Sequence, residues 1–284
     1  MSTRTLPTHA PADAPAARPA SFRPVDLLRV VTGAAHTIAK TRLQTSGVPF
    51  YLMVWLSFPL FNLLLVALIY RDDPSLRSYA IVGGAGMAML FGMQFNAGEI
   101  LDGERRRGTL GNLFVSPAPR YAWLAGFQLF AATESLVTAT LSLVTGKAIF
   151  GLPLDIAPLT LLVTMVLFLA AMWGFSMLIG AAGVSLRNAN QLSNLVFPMM
   201  QLVAGTLYPI SLAPEWIQVP ARCLPFGYAI QALVDSLTQG ATLADEAGQL
   251  VPLLGFAVGL PLIGIVAFRA VERRTRSTGA LELV

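Results

Sequence analysis

At 284 residues, 55% hydrophobic and only 12% charged, the chain carries more apolar surface than a soluble domain of its size can hide. Its net charge of +4 is modest, so the placement of the charges matters more than their sum. The single cysteine, Cys223, excludes an intrachain disulfide framework and a cysteine zinc site; His9 and His36, the only histidines, precede the first long apolar run, which excludes a histidine metal centre inside those runs.

Residues 1–23 are rich in Pro and Ala and have no apolar signal-peptide core, which predicts a disordered cytoplasmic tail. Over residues 24–46, Leu27, Val31, Ala34 and Ile38 fall on one helical stripe, and Arg29, Gly33, His36, Lys40 and Gln44 on another. That pattern predicts an interfacial amphipathic helix along the inner leaflet, with a soluble juxtamembrane helix as the plainer alternative. Six runs then have the length and apolarity of membrane spans, at about 48–70, 78–97, 121–145, 157–183, 192–211 and 250–269. Backbone polar groups in lipid must pair internally, and the runs lack the alternation of barrel strands. The expected fold is an all-α integral membrane protein with six transmembrane helices.

Between the second and third runs, GEILDGERRRGTLGNLFVSP puts six charges into the nine positions from Glu99 to Arg107. Glu104 and Arg105 to Arg107 read as a charged helical extension of span two. Gly108 permits a bend, Thr109 is a good N-cap, and Leu110, Leu113 and Phe114 share one face of a short helix stopped by Pro117. A solvated loop accounts for the arginines. It does not account for the apolar face, which calls for a membrane surface or a partner's groove.

Glu134, within the third run, is the ionisable residue that stands inside a span. It can meet a cationic or hydroxylated cargo, or be neutral and bonded to Thr133, Thr138 or a neighbouring helix; both readings stay open. Asn62, Gln94, Asn96 and Gln201 read as interhelical hydrogen bonds, and the glycine clusters at 83–86 and 180–183 as points of close helix packing. Over residues 205–249, Pro209, Pro214, Pro220 and Pro225 break any continuous span. Phe226, Ile230, Leu233, Val234 and Leu237 then oppose Gln231, Asp235 and Gln239, which predicts short re-entrant helices in the outer leaflet, packed on protein. Residues 271–284 are expected to form a cytoplasmic tail.

With the N-terminus cytoplasmic, 15 of the 19 Lys and Arg residues fall on the cytoplasmic side. Only Arg71, Arg77, Lys147 and Arg222 fall outside, as the positive-inside rule requires. The expectation is a multi-pass protein of the cell inner (cytoplasmic) membrane with both termini cytoplasmic. Neither lysine sits in a Walker motif, and the spans hold no HExxH, Gly-x-Ser-x-Gly or aspartate pair. Neither ATP hydrolysis nor other catalysis is expected of this chain, and no metal ligands are expected.

The segment ERRRGTLGNLFVSPAPRYAWLAGFQL resembles that of type-2 ATP-binding-cassette (ABC) exporter permeases, in which a Glu, then Gly-Thr-Leu, then a Pro-x-x-Arg-like ending precede span three. The resemblance runs through nearly the whole chain past residue 24, including YPISLAPEWIQVPARCLPFGY before the last span. Gly111 stands where the family often has an acidic residue, and Leu224 where an Asn often precedes the Pro. The resemblance implies a type-2 exporter transmembrane domain over residues 24–270. Such a subunit pairs with a second permease copy (a homodimer or a paralogue) in membrane lipid and couples to a separate ABC ATPase subunit. ATP and Mg belong to that partner, with no cofactor on this chain and no nucleic acid involved. By resemblance, Glu104, Arg105, Arg107, Gly108, Thr109, Leu110, Leu113 and Phe114 form the ATPase-coupling surface; Glu134, as the intramembrane ionisable residue, is the candidate for the substrate path. The implied activity is export of an amphipathic drug, lipid or glycolipid. A proton-coupled secondary transporter without an ATPase is the alternative, and one intramembrane acid supports it poorly.

Overall fold

A computed structural model of the chain describes residues 24–106, 120–186 and 189–277, and every regular element among them is helical. The order is α1 (Pro24–Ser46), α2 (Val48–Ile69), α3 (Pro74–Arg106), α4 (Arg120–Phe150), α5 (Pro158–Leu186) and α6 (Ala189–Ala204). A short 3-10 turn (Ile210–Leu212) follows, then α7 (Glu215–Arg222), α8 (Pro225–Thr238) and α9 (Ala247–Ser277). Among the described residues, four stretches are long and apolar enough to cross a membrane: Pro74–Gln94, Ala125–Phe150, Pro158–Gly183 and Ala247–Val271. α2 is a 22-residue helix of apolar sequence, of which Leu60–Ile69 is the apolar stretch among the described residues.

The run expected at 192–211 is not one helix. α6 has 16 residues, about 24 Å at 1.5 Å per residue. Gly205 ends it with a φ of +63°, a left-handed conformation that favours glycine and closes helices. Leu207 and Tyr208 prolong the apolar run in sequence, but they lie in the turn that leads to Pro209.

α3 is the hub. It packs on α2, α4, α5, α6 and α8, and every residue from 79 to 90 is buried. The glycine cluster at 83–86 makes this approach possible on three sides. A Cβ on Gly83 would stand 1.9 Å from the Thr206 carbonyl oxygen, one on Gly84 2.1 Å from Asn62 Oδ1, and one on Gly86 2.1 Å from Ile230 Cδ1. These positions seat the turn after α6, then α2, then α8, as the packing reading of the cluster expects. α5 and α9 cross where Gly174 meets Pro261 and Gly264.

α8 has 14 residues, about 21 Å, too short for the roughly 30 Å hydrocarbon core. It is wedged among α3, α5 and α9, with Phe226, Ile230, Leu233, Val234 and Leu237 buried as the sequence pattern predicts. Phe226 meets Phe175 edge to face, with centroids 5.2 Å apart. α1 also finds protein. Ala34 and Ile38 are buried, and Ile38 packs on Phe127 and Phe130 of α4, while Arg29, Gly33, His36, Lys40 and Gln44 stay exposed. Outward faces remain apolar: Val251, Leu254, Val258, Leu262 and Val266 form an exposed stripe along α9. Such stripes are liabilities in water and suit lipid.

Candidate functional site: a helical arm and a buried polar seam

α3 runs as one helix from Pro74 to Arg106, and its last residues carry the charged segment that follows the apolar run in sequence. No proline interrupts residues 95–106. The predicted extension therefore forms, and it places Glu104 and Arg105 on a helical arm. Arg107, Gly108, Thr109, Leu110, Leu113 and Phe114 lie outside the described residues, before α4 begins at Arg120.

A second feature lies where α2, α3 and α6 meet. Asn62 Nδ2 and Thr206 Oγ1 each approach Met87 Sδ at 3.9 Å, both toward a weak acceptor. Further along α3, Gln94 Nε2 donates to the Ser193 carbonyl at 3.2 Å, and Ser176 Oγ of α5 donates to the Met93 carbonyl at 2.9 Å. Tyr79 Oη donates to the Gly205 carbonyl at 3.1 Å, tying α3 to the end of α6. Asn62 Oδ1, Gln94 Oε1 and Ser193 Oγ are buried without a hydrogen-bond partner among the described residues. Each such atom costs about 1–3 kcal/mol. The interhelical roles expected of Asn62 and Gln94 are present, and Gln201 is half-buried. The Asn96 side chain lies outside what is described.

Glu134 is buried in α4, and its backbone carbonyl accepts the Thr138 hydroxyl at 3.1 Å. The Thr133 hydroxyl goes to the Leu129 carbonyl at 2.9 Å. Both threonine hydroxyls thus donate to helix backbone carbonyls. At the other end of α3, Asp73 caps the helix. Its Oδ1 accepts the Ser75 hydroxyl at 2.6 Å and the backbone N–H groups of Leu76 and Ser75 at 3.1 and 3.0 Å. Those bonds, the Ser75 hydroxyl foremost, hold the carboxyl below the usual carboxylate range.

Nothing in the sequence marks Tyr79, Ser193 or Thr206. Hydroxyls are common in apolar segments, and only the packing of α3 against α6 and the turn after it makes these part of one seam.

A family model described as ABC-2 type transporter matches residues 35–238, more than half of the chain. The chain is also similar to the linearmycin resistance permease protein LnrN of Bacillus subtilis (strain 168). The two are 28% identical over 189 residues, 66% of this chain and 49% of the relative. The chain thus spans about half the length of that curated relative.

Proposed function

Because the chain belongs to the ABC-2 type transporter family, we propose that it is the membrane permease of an ATP-driven exporter, served by a separate ATPase subunit. The domain itself is a non-catalytic transmembrane subunit that binds no nucleotide. Six crossings are proposed: the four long apolar stretches, α2, and α6 completed by the turn after it. Both termini and the α3 arm face the cytoplasm, as the basic residues favour. Two copies, identical or paralogous, enclose the path.

The helical arm of α3 carries the coupling reading. A helix that carries the charged segment up to Arg106 is a lever, and a partner seated on residues 107–119 can move spans α3 and α4 through it. ATP binding to the partner would then shift the balance between inward- and outward-facing states. The orphaned polar atoms of the seam support it as a place where the two states differ, since another packing of α2, α3 and α6 can pair them. For cargo, an amphipathic drug, a lipid or a glycolipid fits the apolar spans. The relative's part in linearmycin resistance supports the drug first.

The test is co-purification and transport with the ATPase subunit in vesicles. Leu113→Ala with Phe114→Ala should weaken association about tenfold or more, because buried apolar anchors carry most interface affinity. Glu104→Ala should leave a complex that hydrolyses ATP and exports poorly. Full association and full export by the double variant would reduce this segment to a solvated loop. Export driven by a proton gradient without ATP would return the secondary-transporter alternative.

A further inference from the structure

At the end of the bundle away from the α3 arm, two carboxyl groups from different elements meet. Asp235 lies on α8, and Glu246 immediately precedes α9. Their side chains are within hydrogen-bonding reach of each other. Asp235 is already committed as an acceptor: Gln231 Nε2 donates to its Oδ2 at 2.8 Å and Gln239 Nε2 to its Oδ1 at 2.5 Å. Glu246 is only 7% exposed, and its Oε2 has no hydrogen-bond partner among the described residues. Neither carboxyl is ion-paired to a described residue. Two ionised carboxylates in this arrangement would repel with nothing to compensate them.

We propose that Asp235 and Glu246 share one proton, and that this proton is a latch fastening α8 to the start of α9. The proton sits on Glu246 and is donated to the Asp235 carboxylate. The other groups facing the pair are also acids. Asp245 adjoins Glu246 in the linker, where the Thr242 hydroxyl and N–H hold it at 2.7 and 2.9 Å. Asp155, from the linker between α4 and α5, is bound through its backbone to Leu237 and Gly240. Tyr79 of α3 is the phenol nearest Asp235. Burial foremost, then the charge and hydrogen bond of Asp235 and the charge of Asp245, push Glu246 up to about 7.

The sign follows from linkage. The raised value belongs to the latched state, so the latch is at full strength below the ordinary Glu value of 4.5. It weakens as pH rises from there, and the proton is gone once pH passes about 7. α8 is wedged among α3, α5 and α9, so releasing it from α9 loosens the plug at this end of the bundle. The latch does not depend on the exporter reading; its effect on transport does.

Infrared titration and hydrogen exchange on the full chain in lipid nanodiscs test the latch without any transport assay. A protonated-carboxyl band should titrate with a midpoint near 7 and be missing in Glu246→Gln. Exchange at the Glu246, Gln249 and Leu250 amides, which bond to the Thr242 and Glu246 carbonyls, should quicken about tenfold beyond the chemical rate between pH about 5.5 and about 8. Glu246→Gln should stay slow at both pH values, and Asp235→Asn should move the midpoint down. No band, a midpoint near 4.5, or an unchanged exchange step in Glu246→Gln would overturn the proposal. A latch that titrates in a chain that does not export would sink the exporter reading and leave the latch standing.

Discussion

Gly83 and Gly33 separate two reasons for a glycine in a helix. A Cβ on Gly83 would meet the Thr206 carbonyl oxygen at 1.9 Å, and that backbone is pinned by the Tyr79 bond to neighbouring Gly205. A Cβ on Gly33 would meet nothing within 4 Å. Gly83→Ala should therefore cost at least the roughly 1–3 kcal/mol of an overpacked core, while Gly33→Ala should gain about 0.5–1 kcal/mol from lost backbone entropy. Thermal unfolding in detergent compares the two, and a matching shift for both would refute the packing account. Glu134 is a different case, because burial alone does not say whether its carboxyl serves cargo or the helix. Glu134→Gln keeps shape and hydrogen bonding and removes any charge. It is expected to lower export several-fold without lowering the yield of folded permease; a parallel fall in both would assign the residue to structure.

At the scale of elements, part of the amphipathic stripe of α1, Ala34 and Ile38, is buried, with Ile38 packed on α4. Gly126 lets α4 come so close that a Cβ there would stand 2.4 Å from the Val31 carbonyl oxygen and 2.6 Å from Ala34 Cβ. Gly126→Val should lift α1 away from α4 and expose its backbone near Arg29 and Lys40, both already on the open face. Limited trypsin digestion should then cut α1 faster than in the parent chain, with the spans intact. An unchanged digestion rate would mean that α1 is held elsewhere. α6 makes the opposite point. Its sequence reads as the opening of a full span, and one left-handed glycine stops it at Ala204.

For the whole molecule, the distribution of basic residues and the direction of the α3 arm argue for one orientation. In a Cys223→Ala background, a membrane-impermeant thiol reagent applied from outside should label Asp72→Cys and Ala244→Cys, in the two linkers at the arm's far end. Arg106→Cys, at the tip of the arm, should react only after the membrane is opened. External labelling of position 106 would invert the topology, and the coupling proposal would fall with it.

Much of this protein was legible without coordinates. Apolar run length located α3, α4, α5 and α9, because a backbone in lipid must satisfy itself within a helix. Periodicity picked out the buried face of α8, and the glycine cluster announced close packing around α3. The charged extension of α3 was equally readable, since no proline falls in residues 95–106. Tertiary structure decided the rest. The end of α6 depends on a turn packed against α3, and the polar seam joins Asn62, Met87, Gln94, Ser193 and Thr206 from three regions of sequence. The pairing of Asp235 with Glu246 likewise needs α8 folded back into the bundle. Periodicity reports which face of one helix is apolar; it carries no term for which helix that face will meet.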